Sequence, residues 1–330
     1  MYKLAEIIIY SPSDLTVYMS SQFASWMNRW TLEYPEAEPE ADEEDALSTM
    51  LAEKGLTHEN ALLKKFRQQG LQVVDIAQNT LGANKNIAEK LQATQDAMQQ
   101  GADVIYQAVL QKEPFLGHAD FLVKVPGQSR LGNYHYEVWD TKLASAVKPQ
   151  FVVQLCCYAD MLETVQGCRP AHMVVALGNQ ECVRLETENY FYYYLALKAR
   201  FLAEQAAFNA ADMPDPAASA SHGRWSGYAE QLLQDKDHLS LVANITRSQI
   251  KKLQRAGINT CQQLVQAKNE RVSGLSAEVF ARLQAQAAIQ KASEGKERPL
   301  FEVLQSAKDQ SPIGLVLLPP HSGLDVFFDI

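Results

Sequence analysis

Two short motifs place acidic and basic side chains where they could act together. Asp120 ends an apolar run, and further along the chain the triplet Asp140-Thr141-Lys142 ends a second strand-like run. Because successive side chains of a strand alternate between its faces, Asp140 and Lys142 should point the same way, and an adjacent strand could bring Asp120 beside them. Two carboxylates on one face form an oxygen-rich site suited to Mg²⁺ or Mn²⁺. With a lysine to orient water or stabilise charge on a phosphate, the pattern predicts metal-assisted hydrolysis of a phosphodiester.

The elements that must carry these side chains are predicted from hydrophobic periodicity. Strands are expected at 73–77, 104–110, 115–125, 134–142, 171–177 and 181–185, and helices at 14–30, 46–69, 86–99, 149–167 and 189–209. Pro149 suits the first turn of a helix and Gly167 suits a helix stop. These elements predict an α/β core.

The rest of the chain has a different composition. Residues 210–238 are rich in Ala, Ser, Pro and Gly without periodicity, which predicts a linker or an irregular packed loop. Helices are then expected at 247–255, 261–267 and 276–291, with a tight hairpin at Ala256-Gly257-Ile258 between the first two. The segment 239–295 is therefore predicted to be a small all-α unit.

Charge and cysteine usage restrict the function classes. The net charge of −9 argues at first against a nucleic-acid partner, but eight acidic residues lie between Glu33 and Asp45, and without them the charge is −1. We expect this run to form a solvated loop. The five cysteines are odd in number and include no Cys-x-x-Cys pair, which favours reduced thiols and a cytoplasmic protein. The apolar run near the start holds three isoleucines, too few for a signal peptide, and no stretch is long enough to span a membrane.

The motifs together resemble those of the PD-(D/E)XK nuclease superfamily, in particular its RecB-like branch. Gly117-His118-Ala119-Asp120 and the Asp-x-Lys triplet match two of its motifs in order, and Gln154 to Tyr158 matches its Gln-x-x-x-Tyr motif. Gly55 to Glu59 fits the helix that carries a metal-binding histidine, here His58. The opening Ser11-Pro12-Ser13-Asp14-Leu15 is typical of bacterial RecB-like proteins that are often fused to an RNase H-like exonuclease and a helicase.

This resemblance implies a restriction-endonuclease-like core, with a central mixed sheet flanked by helices, over residues 1–209. It implies that His58, Asp120, Asp140 and the backbone carbonyl of Thr141 hold Mg²⁺ or Mn²⁺. Lys142 would then be catalytic. The expected substrate is DNA, either single-stranded or at duplex ends, and no membrane is expected to be involved.

Alternatives stay open at several of these positions. His58 could be a satisfied core histidine, and Asp120 a turn residue. Gln154 and Tyr158 share a helix face and are expected to help orient the lysine and the strand, but Tyr158 also fits a core position. Glu59 is expected to make a salt bridge or to support its neighbour. For the chain as a whole, the rivals are a catalytically weak DNA-binding module that guides a fused helicase and a purely structural domain.

The chain departs from the branch where many relatives bind an iron–sulfur cluster through four cysteines. Ser21 stands at the first of those positions, and no cysteine occurs between Ser219 and Tyr228, so no cluster is predicted. Ordinary packing around Trp225 and Tyr228 is expected instead.

The segment 239–295 resembles a helix-hairpin-helix module. Such a module would offer a phosphate the backbone around Gly257 and the charges of Lys251, Lys252 and Arg255. A small bundle that only connects domains is the equally supported alternative. Residues 296–330 resemble a linker followed by the truncated first strand of an RNase H-like domain, in which Asp329 matches a metal-binding aspartate.

Overall fold

The computed structural model describes residues 1–4, 7–43, 46–77, 87–268, 271–302 and 317–326. The chain divides into two compact units, Met1–Asp235 and Lys236–Ile330. The predicted strand that contains Asp329 lies partly outside the described residues, and Asp329 itself is not among them. Within the described part of the chain, no helix combines the length and the apolar character needed to cross a bilayer.

A six-stranded mixed sheet forms the centre of the first unit, with its strands in chain order. These are β3 (Val73–Asp75), β4 (Val104–Lys112), β5 (Phe115–Ser129), β6 (Gly132–Lys142), β7 (His172–Leu177) and β8 (Cys182–Glu186), preceded by a separate antiparallel pair, β1 (Tyr2–Leu4) and β2 (Ile7–Ile9). The pairs β3–β4 and β6–β7 are parallel, and the other neighbours in the sheet are antiparallel. Each parallel pair needs a crossover, and a helix supplies it.

Helices pack on both faces of this sheet. The helices of this unit are α1 (Pro12–Ser20), α2 (Gln22–Glu33), α3 (Ala46–Gln68), α4 (Ile87–Gln99), α5 (Pro149–Gln166), α6 (Glu188–Ala206) and α7 (Ser226–Asp235), of which α2 and α7 pack together away from the sheet. On one face, Phe66 of α3 packs edge-on against Phe121 and Trp139 of the sheet. The other face buries Val138 in the main core together with Leu155 of α5. The predicted α/β class, a mixed sheet flanked by helices, is therefore confirmed.

Most element boundaries follow the predictions closely, with several differences. The strands β1 and β2 were not predicted, and β5 extends to Ser129 instead of ending at residue 125. The helix expected over 14–30 is two helices, because Ser21 adopts an extended φ of −156° and its hydroxyl caps α2 by accepting from the Ala24 N–H. Residues 226–235, expected to be irregular, form α7. Its Ala229 lies in a buried cluster with Phe23, so tertiary packing, which local composition does not reveal, stabilises this helix.

The acidic run is also less free than expected. Asp42 accepts a hydrogen bond from the Gly227 N–H at 2.9 Å, and its own N–H donates to the carbonyl of Arg224. A carboxylate at the first turn of α7 stabilises the helix through its unpaired N–H groups and its dipole. At least this residue of the run therefore has a structural role.

The second unit is helical, as predicted, with α8 (Arg247–Arg255), α9 (Cys261–Gln266) and α10 (Ala277–Ser293). Thr246 and Gln249 form a capping box at the start of α8. Gly257, with a φ of +84°, makes the turn after this helix, a conformation that favours glycine. Leu253, Leu264 and Leu283, one from each helix, are buried together in the core of the unit.

Candidate metal-dependent active site

Two aspartates lie level on neighbouring strands of the central sheet. The antiparallel register that pairs Phe121 with Trp139 places Asp120 of β5 opposite Asp140 of β6. The Asp120 carboxylate is fixed there, because its Oδ2 accepts hydrogen bonds from both the N–H and the hydroxyl of Thr141, at 2.8 and 2.7 Å. The structure thus brings together the two carboxylates that the sequence singled out.

Asp140 is a buried acid, and the positive charge around it is too small to keep its pKa at the usual value. The residue is 1% exposed, and burial raises its pKa to about 7, with the charges of Asp120 and Glu59 adding to the effect and Lys142 opposing it. Its Oδ1 accepts from the Gln154 amide at 3.4 Å. Its Oδ2 lies 2.6 Å from the Lys142 ammonium, which lowers the pKa but does not outweigh burial and the neighbouring carboxylates. A further cation would therefore favour the ionised form of Asp140.

Lys142 is the cation of the site. Its side chain leaves β6 on the same side as Asp140, as the two-residue spacing predicts, and its ammonium lies 5.5 Å from the ring centre of Phe151 on α5. The side chain is 23% exposed, so the ammonium can also reach a ligand from solvent.

Glu59 is a third carboxylate close to the pair, although only a supporting role was expected for it. It accepts a hydrogen bond from the Gln107 side chain, and its pKa is raised, first by burial and then by the charge of Asp120. The signal was present in the sequence, because Glu59 precedes the buried Leu62, Leu63 and Phe66 at helical spacing. An acidic residue on the apolar face of a helix needs a specific partner.

Gln107 is a site residue that no sequence pattern indicated. The register of β4 and β5 places it level with Asp120, and it has a φ of +53° in the middle of a strand. A non-glycine residue with positive φ is uncommon and is concentrated at functional sites. Gln107 therefore extends the row formed by the two aspartates and connects it to α3.

His58 is placed differently from the ligand position that the resemblance implies. Its Nε2 lies 3.1 Å from the carbonyl oxygen of Ala176 and donates a hydrogen bond to it, since a carbonyl can only accept. Ala176 is the β7 partner of Thr141, so the imidazole lies one strand beyond the carboxylate row. The structure does not bring His58 into a common group with Asp120 and Asp140.

Tyr158 supports the backbone of β5 and lies within the core. Its hydroxyl donates to the carbonyl of His118 at 2.5 Å, and burial raises its pKa. Gly117 makes this approach possible, because a Cβ at that position would lie 2.8 Å from both the Tyr158 ring and Pro12. Steric crowding therefore explains why the Gly-x-x-Asp motif of this chain has a glycine three residues before Asp120.

The chemistry of this donor set fits a hard divalent ion, although the side chains are not drawn together around one. In the part of the chain that the structure describes, no three His, Cys, Asp or Glu side chains converge into a metal-binding group. Two carboxylates on neighbouring strands, a third nearby and a buried aspartate with a raised pKa are nevertheless the environment that Mg²⁺ or Mn²⁺ would stabilise. Asp120 and Asp140 are the side chains positioned to hold such an ion.

The residues at the positions where relatives bind an iron–sulfur cluster are packed against one another. Ser21 and His222 are both buried, and the serine hydroxyl lies 2.9 Å from Nδ1 of the imidazole. Trp225 is also buried, packs with Phe23 in an apolar cluster and donates its indole N–H to Asn28 at 2.8 Å.

In the second unit, the predicted phosphate-binding residues lie around the turn after α8. Gly257, Lys251 and Arg255 are exposed there. Lys252 is partly committed to the unit itself, because its ammonium donates to the carbonyl of Gly274 at 2.8 Å.

A scan against models of known protein families finds no match to this chain, and a search of curated proteins finds none either. The geometry of Asp120, Asp140 and Lys142 is therefore the basis for assigning a function.

Proposed function

We propose that this chain is a nuclease that depends on Mg²⁺ or Mn²⁺ and hydrolyses phosphodiester bonds of DNA, on a restriction-endonuclease-like PD-(D/E)XK core. The observation that carries the proposal is the row formed by Asp120 and Asp140, with the Lys142 ammonium 2.6 Å from the buried Asp140 carboxylate. A purely structural ion pair would not need a second aspartate opposite the first, because that charge raises the pKa of Asp140 and weakens the pair.

Each residue of the site has a task in this reaction. Asp120 and Asp140 would hold the metal, and Thr141 fixes the first of them through two hydrogen bonds. A bound Mg²⁺ or Mn²⁺ would lower the pKa of a coordinated water and withdraw charge from the scissile phosphate. Lys142 orients the attacking water or stabilises the negative charge that builds up on the phosphate in the transition state.

The surrounding residues maintain this geometry. Gln154 holds Asp140 through its amide, and Tyr158 holds the β5 backbone two residues before Asp120. Glu59 adds negative charge from α3 and is the third residue that we propose for the metal environment, in place of His58. Such supporting contacts matter because small displacements of catalytic groups have large effects on rate.

The second unit would contribute affinity for the substrate. We propose that the turn around Gly257 binds a phosphate of DNA as a helix-hairpin-helix module, with Lys251 and Arg255 adding charge and Lys252 contributing less because of its contact with Gly274. The wider setting, DNA repair or processing with a fused or associated helicase and exonuclease, is proposed from the motif resemblance alone.

Metal binding and cleavage together test the proposal. Mn²⁺ binding would be measured by calorimetric titration, and cleavage with end-labelled single- and double-stranded DNA, for the unaltered chain and for Asp120→Asn and Asp140→Asn. We expect both activities in the unaltered chain and a loss of both in each variant. Absence of Mn²⁺ binding and of cutting in the unaltered chain would refute the nuclease.

One observation favours a second candidate, a catalytically weak DNA-binding module. This is the absence, among the described residues, of a three-ligand metal group. DNA binding without Mn²⁺ binding would favour that alternative.

A further inference from the structure

A groove with an apolar floor and an aromatic rim lies across α5 from the candidate active site. It is formed by the first turns of α5, by β8 and by the start of α6, and its cavity measures about 390 Å³. Val152, Val153 and Leu185 line its floor, and Tyr190 and Tyr193 of α6 line one side. A cavity of this size and composition is in the range of ligand-binding sites.

Three of the four tyrosines of α6 are open to solvent, and the fourth, Tyr194, is buried. Tyr190 is 37% exposed and Tyr193 is 59% exposed, although both contribute to the groove. Tyr192, on another side of the same helix, is 73% exposed and does not line the groove. Solvent-facing aromatic rings beside an apolar floor offer stacking surfaces for flat ligands.

The charge of the groove suits an anionic ligand. The chain has a net charge of −9, but no lining residue of the groove is acidic, and Lys148 at its rim is basic. Lys148 is also the N-cap residue of α5, where no side chain caps the helix and the first turn carries no acid. The N–H groups of that turn and the lysine therefore favour a phosphate at this end of the groove.

The groove and the candidate active site lie on opposite sides of α5. Val152 and Val153 face the groove, while Phe151 lies beside Lys142 and Gln154 reaches Asp140. Both sites are near the N-terminal end of this helix, where Lys148 borders the groove, so a strand that crossed that end could contact Lys148 and Lys142.

We propose that this groove holds the bases of single-stranded nucleic acid, stacked on Tyr190 and Tyr193, with a neighbouring phosphate at Lys148. The proposal rests on the proposed function for the identity of the substrate. It favours a single strand, because the bases of a duplex are stacked on one another and cannot enter the groove. An unpaired strand held there would cross the N-terminal end of α5 to reach the carboxylate row.

Binding of a fluorescein-labelled oligothymidylate of about 15 nucleotides, a length typical of single-strand binding sites, tests this proposal by fluorescence anisotropy. EDTA in the buffer removes metal-dependent cleavage from the measurement. We expect Tyr190→Ala and Tyr193→Ala each to weaken binding by about 5-fold or more, since stacking contributes at least about 1 kcal/mol per base. Tyr193→Phe keeps the ring and should bind like the unaltered chain, and Tyr192→Ala is the matched control.

A second measurement locates the strand independently of mutation. Ultraviolet cross-linking of a strand that carries 5-iodouracil, followed by mass spectrometry, should identify Tyr190 or Tyr193. Cross-links elsewhere, or equal binding by the Tyr192, Tyr190 and Tyr193 alanine variants, would overturn the proposal. Failure of the groove leaves metal-dependent cleavage intact, whereas failure of the nuclease leaves the tyrosine-dependent binding intact, so the two ideas are distinguishable.

Discussion

Replacing Asp140 with asparagine should stabilise the fold at neutral and alkaline pH in the absence of metal. The residue is 1% exposed and its pKa is raised to about 7, so above that pH the folded protein holds a buried charge that the unfolded chain holds in water. Asparagine has nearly the same shape and carries no charge. The prediction has the sign opposite to that of most core substitutions, which destabilise.

The magnitude follows from the two pKa values of this group. The unfolded value is near 3.8 and the folded value is about 7. Between them the folded state binds more protons, so the stability that Asp140 contributes is complete below pH 3.8 and is lost as the pH rises through 7. At about 1.4 kcal/mol for each pH unit, the loss reaches about 4 kcal/mol at pH 8 and falls below about 1 kcal/mol near pH 4.

Urea unfolding of both proteins in EDTA, followed by circular dichroism from pH 4 to pH 8, measures this difference. The free energy of unfolding of Asp140→Asn minus that of the unaltered chain should rise with pH to about 4 kcal/mol. Taking the difference cancels the titration of groups that are common to both proteins. Mg²⁺ should then stabilise the unaltered chain more than the variant, because the ion would favour the charged carboxylate.

Asp160 supplies a control of opposite sign. It is also a buried aspartate, and burial opposes its ionisation, but hydrogen bonds from Lys112 and Lys198 outweigh burial and lower its pKa. Its stabilising effect is present above the unfolded pKa and is lost as the pH falls through the lower folded value. Asp160→Asn should therefore destabilise the fold at pH 8, by about 3 kcal/mol, because two lysines lose their partner. If Asp140→Asn also destabilised at pH 8, the reasoning about its surroundings would be refuted.

Three further predictions concern the supports of the site and the second unit. Gly117→Ala should lower the free energy of unfolding by about 1–3 kcal/mol in urea titrations, because the added Cβ meets the Tyr158 ring at 2.8 Å; unchanged stability would contradict this contact. Tyr158→Phe should lower it by about 1–2 kcal/mol through the hydrogen bond to the His118 carbonyl, and thermal melting that matches the unaltered chain would argue against that bond. Lys251→Ala and Arg255→Ala should each reduce the slope of log affinity for duplex DNA against log salt by about 1, and unchanged slopes would exclude phosphate contacts there.

Most of the fold could be predicted because its elements have regular patterns. The helix starting at Pro149 ends at Gly167, as expected, where the glycine has a left-handed φ of +75°. The patterns did not predict α7, because its stability depends on contacts with Phe23, which is distant in sequence. The break at Ser21 was missed for another reason, since a serine within an apolar pattern does not reveal whether it caps a new helix.

The site was predictable only where its geometry follows from strand alternation. That rule places Lys142 beside Asp140, and the neighbouring strand brings Asp120. The motif did not predict which side of α3 faces the aspartates. A rotation of this helix by one residue exchanges His58 for Glu59 near the carboxylate row. The sequence does not predict the backbone conformation of Gln107, which has a positive φ within a strand.

Cleavage by Lys142→Met is the decisive test of the proposed active site, because the change removes the ammonium and leaves the carboxylates of Asp120 and Asp140 in place. End-labelled DNA would be incubated with Mn²⁺ and either protein, and Mn²⁺ binding would be titrated in parallel. We expect the unaltered chain to cut, and the variant to bind Mn²⁺ while its cleavage rate falls by at least about 100-fold, as for loss of one electrostatic stabiliser. Undiminished cutting by the variant would contradict the assignment of Lys142 and of the site around it.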